Sequence, residues 1–158
     1  MGAGVSALLL DLVARGYRSI DAVDLSAAAL ERLRARLGTA AAGVRFVQAD
    51  IRTVAFDGPI DVWHDRATFH FLTDPADQVL YVQRVEASVA LGGHVVMATF
   101  ADDGPEQCSG LPVARHSATS LAALFSEHFE LRDSFRHVHT TPSGAAQPFT
   151  YVLLARLA

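Results

Sequence analysis

A glycine turn opens the chain. Gly2-Ala3-Gly4-Val5-Ser6 runs directly into an apolar helical pattern carried by Leu8, Leu9, Leu12 and Val13. Downstream, Ile20-Asp21-Ala22-Val23 reads as a strand that ends in Asp24. In α/β proteins this order holds a nucleoside-bearing ligand. The glycines let backbone approach where a side chain would block it, and a carboxylate at the strand's end accepts from ribose hydroxyls.

The rest of the sequence repeats the alternation. Ser26 caps a helix over Ala27 to Leu37, ended by Gly38, with Arg32, Arg34 and Arg36 on a solvated face. Val44 to Val47 is a strand running into Ala49-Asp50, and Ile60 to Trp63 is another. Pro75 starts a helix reaching Val89, and His94 to Phe100 is a strongly apolar strand. Residues 101–115 lack periodicity and carry Gly104-Pro105, Gly110 and Pro112, the pattern of a long loop. Ser117 caps a helix through Phe125. Two β-rich runs close the chain, Phe129 to Val138 and Gln147 to Arg156, joined by the turn Thr141-Pro142-Ser143-Gly144. Alternating helices and strands predict a mostly parallel sheet with helices on both faces. At 158 residues the expectation is one domain, 1–158.

Composition narrows the function. The net charge is −4, which gives no basic field for nucleic acid. No apolar run approaches the ~20 residues of a membrane helix, and no leader is visible, so the expected location is the cytoplasm. Cys108 is the single cysteine, so no cysteine-based metal site is expected. His137 and His139 alternate along one strand without a third ligand, and no metal is expected. All thirteen basic residues are Arg, which with the abundant Ala suggests a GC-rich bacterial genome.

Five segments in order, GAGVS, AVDLSAAAL, VQADI, DVWHDRATFHFL and ALGGHVVMATF, resemble the class I S-adenosylmethionine-dependent methyltransferases along nearly the whole chain. The DVWHDRATFHFL segment and the SGLPV loop look most like the thiopurine methyltransferase-like branch. The fold this implies is a Rossmann-like three-layer αβα sandwich, a mostly parallel sheet with an antiparallel C-terminal strand. The resemblance makes S-adenosylmethionine the cofactor. Gly2, Gly4 and Ser6 resemble the turn at its methionine part, with Ser6 where many members have a third glycine. Asp24 resembles the ribose acid, with Leu25 beside the adenine. Asp50 and Ile51 resemble the pair at the adenine amino group and ring face. His64 and Asp65 fall where the methyl group and acceptor meet, and with His70 they are the candidate proton acceptors. Arg66, Phe69 and Arg115 are the candidate acceptor-binding residues. The expected partner is a small-molecule substrate taking the methyl group on S, O or N.

The sequence departs from the family in one place. The family's first strand, which ends in an acid before the glycines, has no counterpart ahead of Gly2. The start therefore reads as an internal position, Met1 standing where the family pattern wants Val. Otherwise neighbouring strands or a homodimer close the gap. Three other functions are open: a protein lysine methyltransferase, suggested by Asp65-Arg66-Ala67; an inactive methyltransferase-like binding module; and a nicotinamide-dependent oxidoreductase, against which the antiparallel C-terminal pair argues.

Overall fold

A computed structural model describes residues 1–157. Its contacts divide the chain into two compact units, Met1–Val54 and Ala55–Ala158.

The first unit begins with α1 (Ala7–Ala14). Its N-cap is Ser6, whose hydroxyl accepts from the Leu8 amide. This satisfies one of the orphan donors of a first turn. β1 (Ile20–Asp24) follows, then α2 (Ala27–Leu37), capped by the Ser26 hydroxyl on the Ala29 amide and closed by Gly38 at φ 55°. A 3-10 turn (Gly38–Gly43) leads into β2 (Val44–Gln48). β1 and β2 pair in parallel, Ile20 opposite Val44 through Asp24 opposite Gln48. Leu9, Val13, Ala22, Leu30, Leu33, Leu37 and Val44 form the core between helices and strands. The spacing 30, 33, 37 puts one stripe of α2 inward, and the arginines of α2 stay on its outer side as expected. Asp21 and Arg45, paired across the two strands, form a bidentate ion pair at 2.7 and 2.8 Å.

The second unit is a four-stranded sheet in the order β3-β4-β8-β7. β3 (Ile60–Arg66) runs parallel to β4 (Val89–Phe100). β4 pairs antiparallel with β8 (Ala146–Arg156), and β8 with β7 (Phe129–Thr140). α3 (Pro75–Ser88) connects β3 to β4, with Pro75 in its first turn and Asp74 capping the Ala76 amide. α4 (Ala118–Leu124) has Ser117 as its cap. The long loop holds a small hairpin, β5 (Gln107–Cys108) with β6 (Leu111–Pro112), turned by Ser109 and Gly110 at positive φ. Trp63, Tyr81, Phe69, Phe100, Phe125 and Leu121 are fully enclosed.

Two elements run longer than their patterns suggest. β3 continues past Trp63 to Arg66, because His64, Asp65 and Arg66 pair with Val96, Met97 and Ala98. β4 begins at Val89, and the Gly92-Gly93 pair is a bulge inside it: the register jumps from Ile60–Val89 to Val62–His94. Glycine is required at 93, since a Cβ there would sit 2.9 Å from the Ala90 oxygen and 3.0 Å from the Asp61 oxygen.

The first element of the chain is α1. Ahead of it, the Ala3 amide donates to the Val23 carbonyl at 2.9 Å, one backbone bond along the edge of β1.

Candidate functional site

In the first unit the glycine turn and the end of β1 are joined through one carboxylate. Asp24 Oδ2 accepts from the Gly4 amide and Oδ1 from the Ser26 amide, both at 2.8 Å. Gly2 and Gly4 have φ of 58° and 51°, a conformation that side chains rarely adopt. Ser26, not Asp24, caps α2 by its side chain, so the carboxylate is not used up by the helix. Each carboxylate oxygen keeps acceptor capacity beyond its one backbone donor. Leu25, next in sequence, is 69% exposed, an apolar side chain left on the surface.

At the end of β2, Arg52 grips Asp50 through its Nε at 2.9 Å, its Nη2 at 2.5 Å and its backbone amide at 2.8 Å. Those bonds hold the Asp50 carboxyl below the usual range. Arg52 is the residue sequence reading passed over here; the i, i+2 acid–arginine spacing was its only signal. Ile51 is buried, so its side chain presents no open face to a ring.

In the second unit the alternation of β3 decides what each predicted residue can touch. Asp65 points inward and is fully buried. Its Oδ2 accepts from the Tyr81 hydroxyl at 2.8 Å, and Oδ1 accepts from the Thr68 and Phe69 amides at 3.0 and 3.3 Å. Tyr81 in turn accepts from the Trp63 indole at 2.9 Å. Burial raises the Asp65 pKa, and the Tyr81 hydroxyl bond opposes the rise. Asp65 is thus a brace for the turn after β3 rather than a group facing an acceptor, and it makes no pair with Arg66. Tyr81 lies on α3, and nothing in local spacing announces the contact.

Phe69 and His70, on the 3-10 turn Phe69–Phe71, are also enclosed. Phe69 packs on Tyr81 and on His116, with ring centroids 4.7 and 5.6 Å apart. His70 packs on Phe71 and Phe100 at 4.6 and 4.9 Å, and neither of its ring nitrogens has a protein partner. Burial pushes its pKa down to about 4, with His116 adding to the shift. Enclosure removes Phe69 and His70 from direct contact with an acceptor in this conformation. Arg115 is engaged within the loop, donating to the Gly104 carbonyl at 2.9 Å and to Glu106 at 3.2 Å.

His64 and Arg66 lie on the opposite face of β3 from Asp65. His64 is half-buried, and burial, helped by the Arg66 charge, lowers its pKa to about 4. The imidazole is therefore neutral at pH 7 and able to accept a proton. Arg66 is exposed and donates its Nε to the Tyr151 hydroxyl at 3.0 Å. Directly after it Ala67 adopts φ 62°, a left-handed conformation uncommon for alanine. Such strain recurs where a chain must turn sharply beside a site.

Among the described residues no group of three or more His, Cys, Asp or Glu is placed to hold a metal ion. Among the described residues no helix is long and apolar enough to cross a membrane.

Residues 1–93 match the family model described as a methyltransferase domain. No curated protein matches the chain in sequence. Solved structures resemble it closely in fold at low identity. An S-adenosylmethionine-dependent methyltransferase of Methanosarcina mazei is 15% identical with a TM-score of 0.80, covering 99% of this chain and 90% of that one. The N-methyltransferase NodS of Bradyrhizobium japonicum, solved with S-adenosylhomocysteine, is 13% identical with a TM-score of 0.78 over 98% of this chain and 74% of its own. The 1,6-didemethyltoxoflavin-N1-methyltransferase of Burkholderia thailandensis is 23% identical with a TM-score of 0.78 over 99% and 69%. The chain belongs to the methyltransferase-domain family, and its fold is the Rossmann-like α/β fold of class I S-adenosylmethionine-dependent methyltransferases.

Proposed function

We propose that this methyltransferase holds S-adenosylmethionine through Asp24 and the glycine turn and methylates a small-molecule acceptor. The observation that carries the reading is Asp24: a carboxylate at the C-terminal end of a parallel strand, tied to the glycine turn yet with lone pairs to spare. Ribose hydroxyls are suited to those lone pairs. Gly2, Gly4 and Ser6 would accommodate the methionine part, and Leu25 would flank the adenine. Asp50 would receive the adenine amino group while remaining tied to Arg52. Ile51 would serve by packing rather than by contact.

When bound, S-adenosylmethionine supplies a methyl group already activated on a sulfonium. The protein then has to bring an acceptor atom into line and keep water out, so positioning supplies much of the rate. His64 would take the proton that an O–H, N–H or S–H acceptor loses as the new bond to carbon forms. Burial keeps it unprotonated at neutral pH while weakening it as a base. Arg66 would attract an acidic acceptor, while Asp65 and Tyr81 fix the turn that carries these groups. The thiopurine-like resemblance of DVWHDRATFHFL supports a small acceptor. Two of the similar structures, a 1,6-didemethyltoxoflavin-N1-methyltransferase and a glycopeptide N-methyltransferase, support the same reading.

The test uses methyl-labelled S-adenosylmethionine with a cell extract split into a small-molecule fraction and a protein fraction. Label entering the small-molecule fraction, and lost in His64→Ala and Arg66→Gln, is the expected result. Label entering only protein lysine would overturn it in favour of a lysine methyltransferase.

A further inference from the structure

Tyr151 lies at the centre of an aromatic and cationic row that crosses the second sheet. Arg66 pairs with Ala98, Ala98 with Tyr151 and Tyr151 with Phe135, so these four side chains share one face on four adjacent strands. Arg66 places its guanidinium 4.7 Å from the centre of the Phe149 ring while bonding the Tyr151 oxygen. Phe135 stacks on Tyr151 with rings 4.7 Å apart and 7° from parallel. Phe149 and His137 approach the same tyrosine at 6.3 and 6.4 Å.

Two features of this row are costly for a merely structural cluster. Phe135 is 57% exposed on an edge strand, so one ring face rests on Tyr151 while much of its surface stays in water. Arg66 is exposed, and among the described residues no carboxylate forms an ion pair with it; its only hydrogen bond goes to a neutral hydroxyl. Its remaining N–H groups form the fork that fits a carboxylate or a comparable planar anion. Because Tyr151 accepts from Arg66, its own proton is free to donate. The row also lies at the end of β3, among the carboxyl ends where open α/β sheets take ligands.

We propose that Arg66, Tyr151 and Phe135 form a binding site for planar aromatic anions, with Arg66 and Tyr151 taking the anionic group and the exposed edge of Phe135 meeting the ring. This defines the acceptor class of the methyltransferase and rests on that reading for its role in turnover, but not for binding itself.

The test is calorimetric titration of the whole chain with 2-naphthoate. Its neutral isostere 2-naphthamide and the non-planar anion cyclohexanecarboxylate serve as controls, with S-adenosylhomocysteine titrated in parallel. Removing the Arg66 fork by Arg66→Gln is expected to weaken 2-naphthoate about tenfold. Removing the aromatic ring by Phe135→Leu is expected to weaken it by a similar factor of about ten. Both controls are expected to bind about tenfold less tightly than 2-naphthoate, each lacking one of the two features. Circular dichroism checks that both variants fold. Affinity for 2-naphthoate no higher than for the controls, or unchanged in both variants, overturns the site. S-adenosylhomocysteine binding without 2-naphthoate binding leaves the methyltransferase reading standing and refutes this one; the reverse supports the site and counts against the methyltransferase reading.

Discussion

Replacing His70 by leucine should stabilise the protein at neutral pH, although a histidine beside the expected reaction centre looks like one to preserve. The ring is fully enclosed by Phe71, Phe100 and the returning loop, and both nitrogens lack protein partners. A buried unsatisfied polar group costs about 1–3 kcal/mol. Leucine fills a comparable volume without that cost, so a net gain of about 1–2 kcal/mol is expected after some loss of ring packing. The pH dependence sharpens the test. The unfolded chain takes a proton on His70 near 6.5, whereas burial delays this in the folded state to about 4. The folded pKa is depressed, so the stability linked to this group is fully present above 6.5. It is lost as pH falls from 6.5 towards 4, amounting to about 3 kcal/mol at the lower end. His116, which faces His70 and is also lowered by burial, pulls in the same direction. Urea unfolding at pH 7.5 and pH 5 would show His70→Leu more stable at both, with a smaller difference between them. A variant destabilised by more than about 1 kcal/mol at pH 7.5, or one with an unaltered pH dependence, would refute the reasoning and show that the imidazole is bonded in solution.

Tyr81→Phe should cost about 3–5 kcal/mol in urea unfolding, because it strips a donor from the buried Asp65 and an acceptor from Trp63 together. Asp65 has a raised folded pKa, so its linked stability is present below the ordinary carboxyl range near 3.9 and is lost as pH rises through the raised value; Asp65→Asn should remove that part of the pH profile. Gly93→Ala should destabilise by more than about 2 kcal/mol, since the added carbon meets backbone on both strands of the bulge; a neutral effect in thermal unfolding would contradict the geometry. Ala67→Gly should gain up to about 1 kcal/mol by relieving the left-handed alanine, read as a rise in urea midpoint.

Local signals in the sequence were sufficient for most elements. The caps Ser26 and Ser117, the first-turn Pro75 and the stop at Gly38 placed three helices to within a residue or two, because these signals act between near neighbours. The terminal strands are visible as β-rich runs around a turn; the short connection leaves antiparallel pairing or separation within the sheet open, and the structure pairs them directly. The apolar pattern of β3 ends at Trp63, whereas pairing with β4 keeps His64, Asp65 and Arg66 extended. That difference alone sends Asp65 inward and Arg66 outward, and so divides the expected catalytic cluster. The partners Tyr81 for Asp65 and Tyr151 for Arg66 lie 16 and 85 residues away. Such contacts are products of the fold and leave no mark on local spacing. The tie between Asp24 and the glycine turn was legible because a strand end beside a glycine turn is a sequence-local feature.

The most direct measurement is titration of the purified chain with S-adenosylmethionine and S-adenosylhomocysteine, with NADH as the control and Asp24→Ala alongside. Loss of charge-assisted bonds to two ribose hydroxyls should weaken the adenosyl ligands by about a hundredfold or more. Binding of both adenosyl ligands but not NADH, with that loss in Asp24→Ala, is the result the account predicts. A folded chain that binds neither adenosyl ligand, or binds them equally well without the Asp24 carboxylate, would contradict it.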